Sequence, residues 1–163
     1  MTILLAPVAV IAAAVPGPPG QQAEIDRVLW SFNGVIITTT DVWQARQLRL
    51  VSGDGSDTDV LRALQNRQLI LMEVRRVPPA APGSGDIAAR RREWEASLGP
   101  GADVRGMLTK AGMSEKACDV WLTDDLKIQA YLRERFGKLP ESERAARTDE
   151  WVRGLRQRAG LGK

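Results

Sequence analysis

The dipeptide Asn33-Gly34 constrains this chain more than any other feature of its sequence. It stands between two short runs rich in β-branched and aromatic residues, Val28 to Phe32 and Val35 to Thr38. A two-residue turn between antiparallel strands needs positive φ at both central positions, and Asn-Gly adopts such a turn most readily. The sequence therefore predicts a β-hairpin over residues 28–38.

The predicted hairpin runs directly into a helix start. Thr38-Thr39-Thr40 offers hydroxyls that can accept from the first free helix amides, and Asp41 suits the positive end of the helix dipole. A lone hairpin is marginal in water, and no later stretch has a strong strand pattern, so helices have to cover its apolar face. We expect a mainly α protein of about six helices with a short N-terminal β-hairpin.

Apolar residues at helical spacing, separated by Gly and Pro, predict the remaining elements. Leu69 to Met72 is apolar all round, which is typical of a helix buried on more than one side, and hence of the central helix. The polar stretch 52–57 is predicted to be a loop rather than a calcium site. The helices are expected over residues 41–51, 58–76, 86–98, 103–111, 115–136 and 141–159.

The last two helices carry apolar stripes that need partners. In the fifth helix the predicted core stripe consists of Ala117, Trp121, Ile128, Leu132 and Phe136. In the sixth helix the stripe consists of Trp151, Leu155 and Ala159. An isolated charged helix is marginal, so we expect this C-terminal helix to pack back on the N-terminal part, against the hairpin or the first helix.

The first twenty residues differ in composition from the rest. They carry no charged residue, and the apolar run over residues 3–14 ends in three alanines, which is typical of a secretory signal with a small-residue cleavage site. The run is too short to span a membrane, and no basic residue follows Met1. Residues 1–20 are therefore predicted to be a signal peptide and Pro/Gly spacer, 21–163 one domain, and the location the periplasm.

The histidine side chain, the usual general base and the commonest metal ligand, is missing from this chain. There is no histidine, and Cys118 is the only cysteine, placed in a helical run that predicts a buried, inert thiol. Asp124-Asp125 and the Glu141/Glu143 pair are typical of a solvated helix face. We therefore expect no catalytic residue, no metal, no cofactor and no enzymatic activity.

Binding is the function class that the composition favours. Five tryptophans and four methionines are many for 163 residues, and both types suit adaptable apolar contact surfaces. Trp121 and Trp151 are expected to fill the core. The candidate residues for a partly open groove that binds client polypeptides are Trp43, Leu50, Trp94, Met107 and Met113.

Four stretches together resemble the SurA-like chaperone domains of the bacterial periplasm: VLWSFNGVIITTTDV, LRALQNRQLILMEVRR, MLTKAGMSEKACDVWLTDDLKIQAYLRERF and DEWVRGLRQRAG. In SurA, parvulin-type prolyl isomerase domains stand between the long helix and the C-terminal helix, whereas here only residues 137–146 separate them. The resemblance implies the chaperone module alone, which binds unfolded or partly folded outer-membrane proteins and does not isomerise proline.

Two other partners are possible from the sequence. A structural subunit with one fixed protein partner, or a homo-oligomer, would have a similar pattern. A nucleic-acid binder would need clustered cations, but interleaved acidic residues favour a solvated charged face and no nucleic-acid binding. The cations in question are Arg90, Arg91, Arg92, Arg153, Arg156, Arg158 and Lys163.

Overall fold

Six helices and one β-hairpin make up the part of the chain that the structure, a computed structural model, describes, residues 26–51 and 55–161. This confirms the predicted mainly α fold with a short N-terminal hairpin. The predicted signal peptide and spacer, residues 1–20, lie outside the described residues. The elements are β1 (Val28–Phe32), β2 (Val35–Thr38), α1 (Thr39–Gln47), α2 (Asp57–Arg76), α3 (Ser84–Ser97), α4 (Val104–Lys110), α5 (Glu115–Phe136) and α6 (Glu141–Arg158).

The hairpin forms as the turn sequence predicts. Strands β1 and β2 pair antiparallel, with Phe32 opposite Val35 on either side of the turn. Asn33 has φ 48° and Gly34 has φ 79°, the pair of positive values that a type I′ turn needs. The register shifts between Val28 and Trp30, which is a β-bulge.

The junction between the hairpin and α1 is held by side chains from both sides. The hydroxyl of Thr38 accepts from the Asp41 amide, while the Thr38 amide donates to the Asp41 carboxylate at 2.8 Å, forming a capping box. Asp26, just before β1, accepts from the Thr40 amide at 2.9 Å and from the Thr39 hydroxyl at 2.7 Å. These bonds lock the start of α1 to both ends of the hairpin.

Helix α2 is the central element, as its all-apolar stretch predicts. It packs against β2, α1, α5 and α6. The covered face of the hairpin, formed by Trp30 and Ile37, belongs to the same core as the buried side chains of α2. The buried apolar residues of α2 are Val60, Leu64, Leu69, Ile70, Leu71 and Val74.

The C-terminal helix packs back on the earlier part of the chain, but its predicted neighbour is wrong. Helix α6 lies against α2 and α5, and neither the hairpin nor α1 is among its main contacts. Trp151 packs on Tyr131 and Phe136 of α5, with ring centroids 5.8 Å apart in both pairs, and Leu155 is buried. The hairpin does not need α6, because α1 and α2 already contact it.

The predicted core stripe of α5 is also partly wrong. The buried residues are Cys118, Leu122 and Tyr131, whereas Ala117 is exposed. Trp121, Ile128 and Leu132 are partly buried against the core. Because α5 packs against α3, α2 and α6 at once, its covered surface is set by three neighbours and not by one apolar stripe.

Candidate functional site

A groove of about 330 Å³ opens beside the hairpin, where β1, α1 and the start of α2 meet. We call it the ribbon groove. Its floor is apolar, and its rim carries arginine, hydroxyl and amide groups. The lining residues are Arg27, Leu29, Thr39, Val42, Trp43, Arg46, Gln47, Asp57, Thr58 and Leu61.

Trp43 is the largest accessible side chain of the ribbon groove. Its neighbour Val42 is buried, as is Ala45, so the face of α1 that carries these two residues points into the core. Trp43 therefore lies to the side of this face and is 40% exposed. Leu29 and Leu61, both half-buried, complete an apolar surface next to the indole.

Two arginines at the rim differ in their partners. Arg46 pairs with Asp57 and donates to the Gly55 carbonyl at 2.9 Å, so its charge is already engaged. Arg27 has no carboxylate within 4.0 Å among the described residues. Within the described part of the chain, the ribbon groove thus combines an apolar floor with Arg27, a cation that has no carboxylate partner there.

Of the five residues predicted to bind clients, only Trp43 lines the ribbon groove. Leu50 is 8% exposed and Trp94 is 3% exposed, so the expectation that they form an open surface is wrong. The Trp94 indole Nε1 donates to the Leu48 carbonyl at 2.8 Å, which ties α3 to the end of α1 inside the core. Met107 and Met113 are half-buried against the core around α4.

Of the ten residues that line the ribbon groove, nine were not predicted as site residues, among them Leu29, Leu61 and Arg27. Leu29 lies at the β-bulge, where strict alternation of strand residues fails. Leu61 follows the buried Val60 in α2, so its place in the sequence predicts one more core residue. Arg27 precedes β1 and has no local pattern that distinguishes it from a solvated cation, so no sequence signal could have found it.

A second cluster of polar groups lies inside the protein, between α2, α3 and α5. We call it the charge cluster, and it consists of Arg67, Arg90 and Asp125. The Asp125 carboxylate is 3.0 Å from Arg67 Nη2 and 3.2 Å from Arg90 Nη2. Arg67 also stacks 3.9 Å from the centre of the Trp121 ring and donates to the Trp121 carbonyl at 2.8 Å.

Burial dominates the electrostatics of the charge cluster. The side chain of Arg67 is 8% exposed and that of Asp125 is 16% exposed. Burial raises the pKa of Asp125, and the nearby Arg67 and Arg90 only partly offset this; burial likewise lowers the pKa of Arg67. The prediction that Asp124-Asp125 lies on a solvated face is therefore wrong for Asp125, whose role here is to join helices.

The predicted basic run Arg90-Arg91-Arg92 is mostly committed to internal ion pairs. Arg91 donates to Glu95 on its own helix at 2.9 Å and to Asp119 on α5 at 2.7 Å. Arg90 belongs to the charge cluster, and of the three only Arg92 is exposed. The run therefore fastens α3 to α5 and does not form a free cationic surface.

Three further features concern the thiol, membrane-spanning helices and grouped metal ligands. Cys118 is buried, as predicted, and burial raises the pKa of its thiol to about 11. Among the described residues, no helix is long and apolar enough to cross a membrane, and no three acidic or cysteine side chains are grouped to hold a metal ion. The function has to be inferred from these residues and their geometry, because no family model, curated protein or solved structure matches the chain.

Proposed function

We propose that this protein is a chaperone-like module that binds unfolded or partly folded polypeptides and catalyses no reaction. The observation that carries the proposal is the ribbon groove, where Trp43 is 40% exposed beside the apolar side chains of Leu29 and Leu61. Large accessible aromatic side chains are costly to expose to water, so a partly open tryptophan on an apolar floor favours contact with another molecule.

The chemistry of the ribbon groove suits an extended chain with large apolar side chains. Its volume, about 330 Å³, is at the lower end for a binding pocket, enough for one or two side chains. The rim supplies the Gln47 amide and the Thr58 hydroxyl, which can bond to a client backbone. Arg27 favours clients with an acidic residue next to the apolar ones.

The resemblance to SurA-like domains is a second support for the proposal. It implies outer-membrane proteins as clients and a periplasmic location, in agreement with the signal peptide predicted over residues 1–20. The lack of histidine in the chain supports binding without catalysis.

The experiment is to measure how the protein and its Trp43→Ala variant suppress aggregation of an unfolded outer-membrane protein. A peptide from the same client, labelled with a fluorophore, gives the dissociation constant by anisotropy. Loss of a central aromatic contact typically costs about 2 kcal/mol or more, so we expect about 30-fold weaker binding and reduced suppression.

The matched control is Val120→Ala, which removes an apolar side chain that is 54% exposed on α5, away from the ribbon groove. This variant should bind as the parent does. Equal affinities for all three proteins, or equal loss in both variants, would contradict the proposal. Binding should also persist at high salt, since apolar contacts dominate, whereas nucleic-acid binding would weaken steeply.

A further inference from the structure

A second cleft, of about 550 Å³, lies between the start of α2 and the end of α6. We call it the α2–α6 cleft. Three arginines line it, Arg62 from α2 and Arg153 and Arg156 from α6. Val152 and Leu161 form an apolar wall on one side. It shares no lining residue with the ribbon groove.

Arg156 is positioned by neutral groups. Its Nη1 donates to Asn66 Oδ1 at 3.0 Å and to Gln65 Oε1 at 3.3 Å, and Gln65 is itself buried. These amide oxygens orient the guanidinium without neutralising its charge. By contrast, Arg67, Arg90 and Arg91, which also join helices, each pair with a carboxylate.

The cleft therefore has a surplus of positive charge. Among the described residues, no carboxylate lies within 4.0 Å of Arg62, Arg153 or Arg156. Asp149 is the single acidic residue among the described residues of the lining, which gives them three positive charges against one negative charge. Burial lowers the pKa of Arg156, and the nearby charge of Arg62 lowers it further.

We propose that the α2–α6 cleft binds a phosphate group with two negative charges, carried either by free inorganic phosphate or by a small phosphate monoester. A phosphate monoester carries a charge of about −1.5 to −2 at pH 7, which matches the surplus of two positive charges. Guanidinium groups bind phosphate through paired, charge-assisted hydrogen bonds, and an arginine that is already oriented loses less entropy on binding. The inference does not depend on polypeptide binding at the ribbon groove.

Titration calorimetry at pH 7.5 and low ionic strength tests this with two probes, inorganic phosphate and phenyl phosphate. The variants Arg153→Gln and Arg156→Gln each remove one charge from the cleft. The matched control, Arg158→Gln, removes the same charge from an exposed residue of α6 that does not line the cleft. We expect about ten-fold weaker binding for both cleft variants and less than a two-fold change for the control.

Each outcome decides the proposal. If Arg158→Gln weakens binding as much as the cleft variants do, net charge alone attracts phosphate and the proposal is wrong. The proposal is also wrong if the parent protein binds neither probe at about 10 mM. If phenyl phosphate binds more tightly than inorganic phosphate, the ligand is a monoester whose apolar part contacts Val152 and Leu161. If the two probes bind equally, the ligand is free phosphate. If Arg156→Gln fails to fold, Arg153→Gln decides, because the Arg153 side chain makes no hydrogen bond or ion pair to the described residues.

Discussion

Asp125 decides how three helices meet, although it stands in an acidic pair that looks like solvated surface. One carboxylate faces two guanidiniums, and the Nε atoms of Arg67 and Arg90 have no hydrogen-bond partner among the described residues. A buried ion pair adds little net stability compared with apolar packing, yet breaking it leaves a charge without compensation. The charge cluster therefore specifies the arrangement of α2, α3 and α5. The stability of the fold should accordingly depend on the carboxylate of Asp125.

The first prediction concerns this cluster. Asp125→Asn removes the negative charge between two arginines, and we expect the free energy of unfolding to fall by about 3 kcal/mol. Asp124→Asn changes a neighbouring residue that pairs only with Lys127, three positions along the same helix, and should cost at most about 1 kcal/mol. Urea denaturation of both variants measures the difference, and similar midpoints would show that Asp125 is not essential to packing.

The second prediction concerns Asp26. Hydrogen bonds from the Thr40 amide and the Thr39 hydroxyl lower its pKa from 3.8 to about 2. Because the folded pKa is below the ordinary one, ionised Asp26 stabilises the fold fully above about pH 4 and loses this effect as the pH falls towards 2. Carbon-detected NMR titration of the carboxyl group measures the pKa directly.

Two variants complete the test of Asp26. Thr39→Val removes one donor and should move the pKa part of the way back towards 3.8, while Asp26→Asn should abolish this residue's share of the change in stability between pH 4 and pH 2. A pKa near 3.8 for the Asp26 carboxyl group of the parent protein would contradict the hydrogen bonds between Asp26 and the start of α1.

At the scale of elements, α6 is the part of the chain whose position matters most to the α2–α6 cleft. It supplies three charged residues that line the α2–α6 cleft, namely Asp149, Arg153 and Arg156. Its docking depends on an aromatic group in which Trp151 meets Tyr131 and Phe136, with the Arg135 guanidinium 5.0 Å from the Trp151 ring centre. This group fixes α6 against the end of α5, and Leu155 fixes it in the core.

The third prediction is that Trp151→Ala lowers the global melting temperature. The side chain is partly buried, so we expect a cost of about 2–3 kcal/mol, somewhat less than for a fully buried tryptophan. Arg153→Ala, on an exposed position two residues away, should stay within about 0.5 kcal/mol. Thermal unfolding followed by circular dichroism checks both, and an unchanged melting temperature for Trp151→Ala would mean that α6 is not docked.

For the molecule as a whole, α2 is the element on which the others depend. Both the hairpin side and the C-terminal side of the fold pack on it, the first through β2 and α1 and the second through α5 and α6. Helix α3, by contrast, has Trp94 as its only buried residue between its caps. Stability should therefore be greatest in α2 and lower at the start of α3.

The fourth prediction follows from that difference. In native-state hydrogen exchange, amides in the middle of α2, from Leu64 to Val74, should exchange only through global unfolding. Amides of the first turn of α3, near Asp86 and Ile87, should open by local fluctuation with a markedly lower free energy. Exchange of both groups at the same free energy would show that the fold opens as a single unit.

Local chemistry made several parts of this fold predictable from the sequence. Asn33-Gly34 requires one kind of turn whatever surrounds it, and Thr38 and Ser114 cap helices through bonds to residues three positions later. The apolar run in α2 identifies the central helix. Of the candidate site, the sequence identified Trp43 alone, because a tryptophan in the first turns of a short helix is noticeable by residue type.

Only the tertiary structure decided which side chains are accessible and what each helix packs against. Trp94 is buried because its indole reaches the Leu48 carbonyl, 46 residues away, and Arg67 meets the Trp121 carbonyl 54 residues away. Periodicity tells which face of a helix is apolar, but not which neighbour covers it, and α5 with three neighbours buries a different set of residues from its apolar stripe. The same limit explains why α6 was expected on the hairpin or the first helix and lies on α2 and α5. Burial is a property of pairs of surfaces, and the sequence describes each surface alone.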